Sequence, residues 1–149
     1  VLRAEKGFII VGQDTDGSMT PADMNMDWIV GKNKAFSFIG QRSLSRSDTL
    51  RDNRKQLVGL KTIDPTIVLP EGAQIVNDPK QPIPMAMQGH VTSSYYSANM
   101  GHSIALAVVK GGLNRLGDTV YCPTADGTTV PAQIVSSVFY DPKGERQHV

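Results

Sequence analysis

Two carboxylates two residues apart, Asp14 and Asp16 in Gly12-Gln-Asp-Thr-Asp-Gly17, are the first groups in the chain whose type and spacing suggest chemistry. A pair of this kind can share acid–base work or bind a cation. A calcium loop of the EF-hand type needs glycine at its sixth position and a bidentate glutamate at its twelfth. Counted from Asp14 those places hold Met19 and Asn25, so the calcium reading fails. What remains is a turn whose aspartates bond nearby backbone N–H groups. Cys122 is the single cysteine and sits in an apolar strand pattern, Thr119-Val-Tyr-Cys-Pro123, where a thiol acts as a small buried hydrophobe. His90, His102 and His148 are scattered, none at the i, i+4 spacing that puts two imidazoles on one helix face, and no metal is assigned. Tyr95-Tyr96 and Trp28 could stack on a planar ligand, although aromatics more often serve as core or interface anchors. No glycine-rich phosphate loop, nucleophile elbow or metalloprotease helix motif occurs, and no catalytic residue is assigned.

The elements that must position these groups are short. A chain of 149 residues with 40% apolar and 19% charged residues reads as one globular domain or a domain with part of another. The formal net charge of +1 gives no reason to expect nucleic acid or an anionic membrane as partner. No apolar run approaches the roughly 18 residues that span a bilayer, and no signal peptide opens the sequence, so a soluble, cytoplasmic protein is the expectation. Residue 1 is Val, the first methionine is Met19, and the chain opens inside a motif, which leads us to expect that part of its site lies upstream of Val1.

Residues 1–50 mix an apolar run with two helix signals. Gly7-Phe-Ile-Ile-Val-Gly12 suits a buried strand or an extended segment packed against a larger body, and without upstream partners it would present an apolar face. Thr20-Pro21-Ala-Asp23 has a capping hydroxyl, a proline at the first helical position and a carboxylate at the third, which predicts a short helix through Met24 to Asp27. A second is expected around Gln41 to Ser45. Ser43 to Lys55, with Arg46, Arg51, Arg54 and Lys55 against Asp48 and Asp52, reads as a solvated connector.

From residue 56 to about 140 the pattern is of short strands: Gln56–Thr62, Ala73–Asn77, Ala86–Ser94, Ser103–Lys110, Asp118–Cys122 and Thr128–Phe139, the last with Pro131 as a candidate break. Ile104, Leu106 and Val108 alternate with Ser103, Ala105 and Ala107, and Asp126-Gly127 marks a tight hairpin. The fold class predicted is mainly β with short helices, a six-stranded antiparallel barrel preceded by the tail of another domain. Residues 141–149 form a polar tail.

An ordered series of motifs adds to this reading: Arg3-Ala-Glu5-Lys-Gly7, Gly12-Gln-Asp14, Thr20-Pro21, Trp28, Phe38-Ile-Gly40, Leu57-Val-Gly-Leu60, Gly89-His-Val-Thr-Ser93 and Gly101-His-Ser-Ile-Ala-Leu106. In this order they resemble the aminomethyltransferase (glycine cleavage T-protein) superfamily from Val1 to about Tyr140. Within it, Lys6 to Asp16, Asp27 to Lys32, Phe38 to Leu44 and Arg54 to Leu60 look most like the C-terminal end of the alpha subunits of heterotetrameric sarcosine oxidases. The folate-dependent iron–sulfur repair branch carries cysteine and glutamate where this chain has Phe8 and Asp14, and is disfavoured. Ordinary T-proteins share Gly-Gln-Asp-x-Asp and stay as the alternative.

The resemblance implies that residues 1–50 end an α+β folate-binding domain and that residues 56–140 are the family's C-terminal barrel. It implies a tetrahydrofolate site to which two residues here contribute: Phe8, as the apolar residue lining the folate, and Arg146, seven positions after Phe139, as the cation meeting its glutamate tail. Plain alternatives are a core role for Phe8 and a frayed tail for Arg146. The parent complex so implied oxidises sarcosine to glycine and hydrogen peroxide and passes the one-carbon unit to tetrahydrofolate, or releases formaldehyde. Its FAD, FMN and NAD would lie outside this stretch, and its partners would be the upstream part of the same chain and the beta, gamma and delta subunits. A non-catalytic docking or lid role for the barrel is the competing implication.

Overall fold

Six antiparallel strands are laid down in a computed structural model that describes residues 1–31 and 33–148; Lys32, which ends one of the motif stretches, and Val149, the end of the tail, lie outside them. The strands are β1 (Lys55–Thr62), β2 (Gln74–Ile75), β3 (Gly89–Ser97), β4 (His102–Lys110), β5 (Thr119–Pro123) and β6 (Thr129–Val135), in the sheet order β2-β3-β4-β1-β6-β5. No strand-long pairing closes the sheet. Its two edges meet at one bridge, where Val76 and Tyr121 exchange N–H···O bonds of 2.9 Å in both directions. The concave side holds the main apolar cluster, including Val58, Leu60, Ile75, Val91, Ala105, Ala107, Val120, Cys122, Ala132 and Ile134.

Strand boundaries shift from the sequence expectation for identifiable reasons. The stretch from 86 to 88 does not join β3; Gln88 and Lys110 are linked by a single Lys110 N–H bond to the Gln88 carbonyl beyond the strand end. β6 ends at Val135, and residues 136–139 leave the sheet to cross the outer face of β1. Pro131 does not break β6: it pairs with Tyr121 and its carbonyl accepts the Ile63 N–H at 3.0 Å. Proline suits that position because its missing N–H is not needed there.

The crossing depends on Gly59. A Cβ there would lie 2.3 Å from the Ser136 carbonyl oxygen and 2.6 Å from the Phe139 ring, so only glycine admits this approach. Phe139 then joins a second apolar cluster on the outside of the sheet, built on Leu57 and Leu106 with Ala4 and Met24, against which Ile9, Met19, Met26 and Tyr95 pack. β4 is thus buried on both faces, its alanines lining the barrel and Leu106 covered from outside.

Residues 1–54 supply that cover with turns rather than regular structure. A one-turn helix α1 (Leu2–Glu5) opens the chain, and 3-10 turns form at Asp27–Ile29 and Gln41–Ser45. The second helix expectation is thereby met as a 3-10 turn; the first is not. Thr20 and Asp23 do make the reciprocal capping bonds, from the Thr20 N–H and hydroxyl to the Asp23 carboxylate at 2.8 Å and from the Asp23 N–H to the Thr20 hydroxyl at 3.4 Å. No helix runs through Met24 to Asp27, because Asn25 takes a φ of 60° and its side-chain amide donates to the Leu57 carbonyl at 3.0 Å; only the 3-10 turn at Asp27–Ile29 forms beyond it. Asn tolerates this left-handed conformation, and it turns the chain onto β1. Among the described residues no helix is long and apolar enough to cross a membrane.

Candidate functional site

The side chain about which the N-terminal segment is organised is Asp14, which is 1% exposed. Its Oδ1 accepts the Thr92 hydroxyl at 2.5 Å and the Ser93 hydroxyl at 2.7 Å, and its Oδ2 accepts the Ile10 N–H and the Arg3 guanidinium, both at 2.8 Å. Two adjacent strand residues normally point to opposite faces of a sheet. Here the β3–β4 register slips between Val91 and Ser93, and this bulge accompanies the delivery of both hydroxyls to one carboxylate oxygen. Burial works to raise the Asp14 pKa, but the Thr92, Ile10 and Ser93 hydrogen bonds and the Arg3 charge outweigh it and hold the carboxyl below its ordinary range. A carboxylate with four donors already placed is an anchor, not a proton carrier at neutral pH.

Arg3 has equally full employment. Beyond Asp14 it donates to the Phe8 carbonyl at 2.9 Å, the Ser93 hydroxyl at 2.7 Å and the Tyr95 hydroxyl at 3.3 Å, with its guanidinium 5.9 Å from the centre of the Tyr95 ring. Gln13 adds bonds to the Ser93 hydroxyl and to Glu71. Two positions before Phe139 another contact is made: Gly7, at φ 71°, passes the Ser137 carbonyl so closely that a Cβ would sit 2.7 Å from its oxygen. Glu5, also buried, accepts from Ser97 at 2.6 Å and Asn99 at 2.9 Å.

Asp14 and Asp16 therefore do not form a working pair. Asp16 accepts the Ser18 N–H at 2.7 Å and hydroxyl at 2.6 Å in the expected aspartate turn, at the surface, while Asp14 faces the sheet. Cys122 is buried, and desolvation pushes its thiol up to about 12, which removes it as a nucleophile. Tyr95 belongs to the Arg3 anchor, whereas Trp28 stands 81% exposed with no part in it. Arg54 corrects the connector reading of residues 43–55: its Nε and Nη2 grip the buried Asp23 carboxylate at 2.9 and 2.6 Å, and Nη2 also reaches the Ser18 carbonyl at 2.7 Å.

Phe8 and Arg146, the two residues expected at a ligand, have different surroundings. Phe8 is not in a buried strand; residues 8–10 have no regular secondary structure, and Phe8 (63%), Ile10 (42%) and Val11 (84%) are exposed. Ile9 packs on the outer apolar cluster, while Phe8, Ile10 and Val11 are left uncovered by the described residues. Arg146 lies in a 3-10 turn (Glu145–Gln147), its guanidinium 4.9 Å from the Tyr140 ring centre. No hydrogen bond, ion pair or ring contact joins Phe8 to Arg146 among the described residues. Both nevertheless spring from one junction, where the Glu5 carbonyl accepts the Phe139 and Tyr140 N–H groups at 2.9 Å and Lys6 donates to the Asp141 carbonyl at 2.5 Å.

Sequence reasoning from single residues missed Arg3, Thr92, Ser93 and Glu5. The available signal was their presence inside the ordered motifs, not any local chemistry.

Residues 55–141 match the glycine cleavage T-protein C-terminal barrel domain. The chain belongs to this barrel family. Its sequence is 45% identical over 153 aligned residues to the sarcosine oxidase subunit alpha of Corynebacterium sp. strain U-96, covering 99% of this chain and 15% of that protein. It is 31% identical over 139 residues to the aminomethyltransferase of Nostoc sp. strain PCC 7120, covering 93% of the chain and 35% of the relative. The T-protein barrel chain thus spans a minor part of either. In structure it superposes with a TM-score of 0.77 on aminomethyltransferase T of the glycine cleavage system from Bartonella henselae, at 23% identity, over 95% of this chain and 37% of that one. That likeness extends the shared fold beyond the barrel into the strap formed by residues 1–54.

Proposed function

We propose that this T-protein barrel chain serves as the C-terminal, folate-facing part of a sarcosine oxidase alpha subunit. The observation that carries the reading is the 45% identity to such a subunit along 99% of the chain, which includes the strap with its exposed loop as well as the barrel. The parent complex would oxidise sarcosine to glycine and hydrogen peroxide and pass the one-carbon unit to tetrahydrofolate. Its flavins and dinucleotide would be held outside these residues, by upstream parts of the chain and by partner subunits.

Two observations fit a folate at this surface. Phe8 offers an aromatic face on a loop whose backbone is tied down, and no carboxylate pairs with Arg146 among the described residues, which leaves its planar fork free for bidentate contact with a glutamate tail. Tetrahydrofolate, when bound, supplies the amine nucleophile that takes up the one-carbon unit. The residues here orient it and exclude water. The aminomethyltransferase reading stands second, on the 31% identity to such an enzyme. A purely structural lid would leave Arg146 without a ligand.

The test uses the full-length alpha subunit assembled with its partners. Arg146→Ala should weaken tetrahydrofolate binding by roughly 1.5 to 3 kcal/mol at low salt, less as salt is added, with sarcosine oxidation largely retained. Unchanged affinity by calorimetry removes Arg146 from the site. A complex that transfers one-carbon units to tetrahydrofolate but oxidises no sarcosine replaces the oxidase reading with the aminomethyltransferase one.

A further inference from the structure

The loop from Phe8 to Asp14 combines two features: the apolar side chains of Phe8, Ile10 and Val11 are exposed, and its backbone is held at Phe8 and Ile10. Arg3 holds Phe8 by both of its backbone groups, the Arg3 carbonyl accepting the Phe8 N–H at 2.8 Å and the guanidinium donating to the Phe8 carbonyl at 2.9 Å. Asp14 holds Ile10 in the same double fashion, its carboxylate accepting the Ile10 N–H at 2.8 Å and its own N–H donating to the Ile10 carbonyl at 2.9 Å. The two holding residues are joined to each other at 2.8 Å, and both are moored to the β3 bulge through Ser93. Ordering Phe8, Ile10 and Val11 costs chain entropy, and little of it is offset by burial within the chain. An ordered backbone beneath uncovered side chains is what a preformed contact surface requires.

We propose that Arg3 and Asp14 are positioning residues that set the loop so that Phe8 meets the folate in a fixed orientation, acting through the Phe8 and Ile10 backbone and not by touching the ligand. This rests on the folate reading above. Asp14 is fully buried and Arg3 spends both of its Nη groups within the chain, so their hydrogen bonds serve the loop and the sheet.

Arg3→Lys separates the parts, because a single ammonium keeps the charge beside Asp14 but cannot serve the Phe8 carbonyl, Asp14, Ser93 and Tyr95 together. In the assembled full-length protein, Arg3→Lys is expected to weaken tetrahydrofolate binding about tenfold, a loss in line with slight misplacement of a contact. Phe8→Ala should weaken it as well, and the double variant should bind no worse than Phe8→Ala alone, since Arg3 acts through Phe8. Asp14→Asn, which removes the charge beside Arg3 and sets an amide against the Thr92 and Ser93 hydroxyls, should weaken binding in the same direction as Arg3→Lys. Amide exchange at Phe8 and Ile10 should accelerate in Arg3→Lys while the thermal midpoint stays near that of the parent. Unchanged affinity in Arg3→Lys, losses that add in the double variant, or a loss that follows a fall in the midpoint would each overturn the proposal. If the parent protein binds no tetrahydrofolate, the functional reading is what fails; exchange at Phe8 and Ile10 then decides the clamp by itself, and unaltered protection in Arg3→Lys overturns it.

Discussion

The barrel and the strap that crosses it differ in the charge of what they bury. Between Lys55 and Val135 the interior is aliphatic, with Leu60, Ile75, Val91, Val120 and Ile134 shut away from water and only neutral hydroxyls among its buried polar groups. Between Val1 and Arg54 the three buried carboxylates of the described residues, Glu5, Asp14 and Asp23, face inward while Phe8, Val11, Trp28, Phe36 and Ile39 face out. The barrel is therefore stabilised chiefly by apolar burial, which needs no partner outside the chain. The strap is held by these polar anchors together with the small apolar cluster of Ala4 and Met24 on Leu57 and Leu106, and it leaves Phe8, Val11, Trp28, Phe36 and Ile39 for something else to cover. A folded scaffold can carry a contact surface in this way without spending its own core on it.

The comparison breaks first at the barrel if it is wrong there. Ile134→Ala opens a cavity in the closed apolar interior and should cost about 2 to 5 kcal/mol in urea or thermal unfolding. A cost no larger than that of an exposed substitution would mean that the barrel core is not what holds the chain together.

Acid should act on the strap before the barrel. Burial disfavours the charged forms of Asp14 and Asp23, but Thr92, Ile10, Ser93 and Arg3 for the first and Arg54 and Thr20 for the second more than compensate, and both carboxyls are held below their ordinary range. A lowered folded-state pKa gives stability that is full above the unfolded value, about 4, and is lost as pH falls through the folded value. Hydrogen exchange corrected for intrinsic rates, followed from pH 6 towards pH 3, should therefore show residues 8–26 losing protection ahead of β4. Simultaneous loss, or loss in β4 first, would show that the two regions are not held by different forces.

The smallest expected effect is the sharpest discriminator. Phe8→Ser on the chain alone removes a large apolar side chain yet should shift stability by less than about 0.5 kcal/mol, because the ring is already 63% exposed. A destabilisation approaching that of Ile134→Ala would make Phe8 a core residue and withdraw it from the folate surface.

Alternation and turn residues were enough to place six antiparallel strands, because side-chain period and the φ preferences of Asp126-Gly127 are local properties. The same local reading placed Cys122 in the interior and the 3-10 turn at Gln41–Ser45. It separated the two faces of β4 without saying which lines the barrel, since Ala105 and Ala107 face inward only because a second layer covers Leu106 from outside. It read the Thr20–Asp23 cap correctly as hydrogen bonding and wrongly as a helix start, because Arg54, thirty-one residues further on, takes the same carboxylate and Asn25 turns the chain to Leu57. Asp14 looked like a turn aspartate for the same reason: its partners Thr92 and Ser93 stand 78 and 79 residues away, and a one-residue slip in the pairing of β3 with β4 accompanies their convergence. Sterics and side-chain period act over a few residues and are written in the local sequence. A buried carboxylate's partners are chosen by which distant strands the folded chain brings past it, and that only the tertiary structure decides.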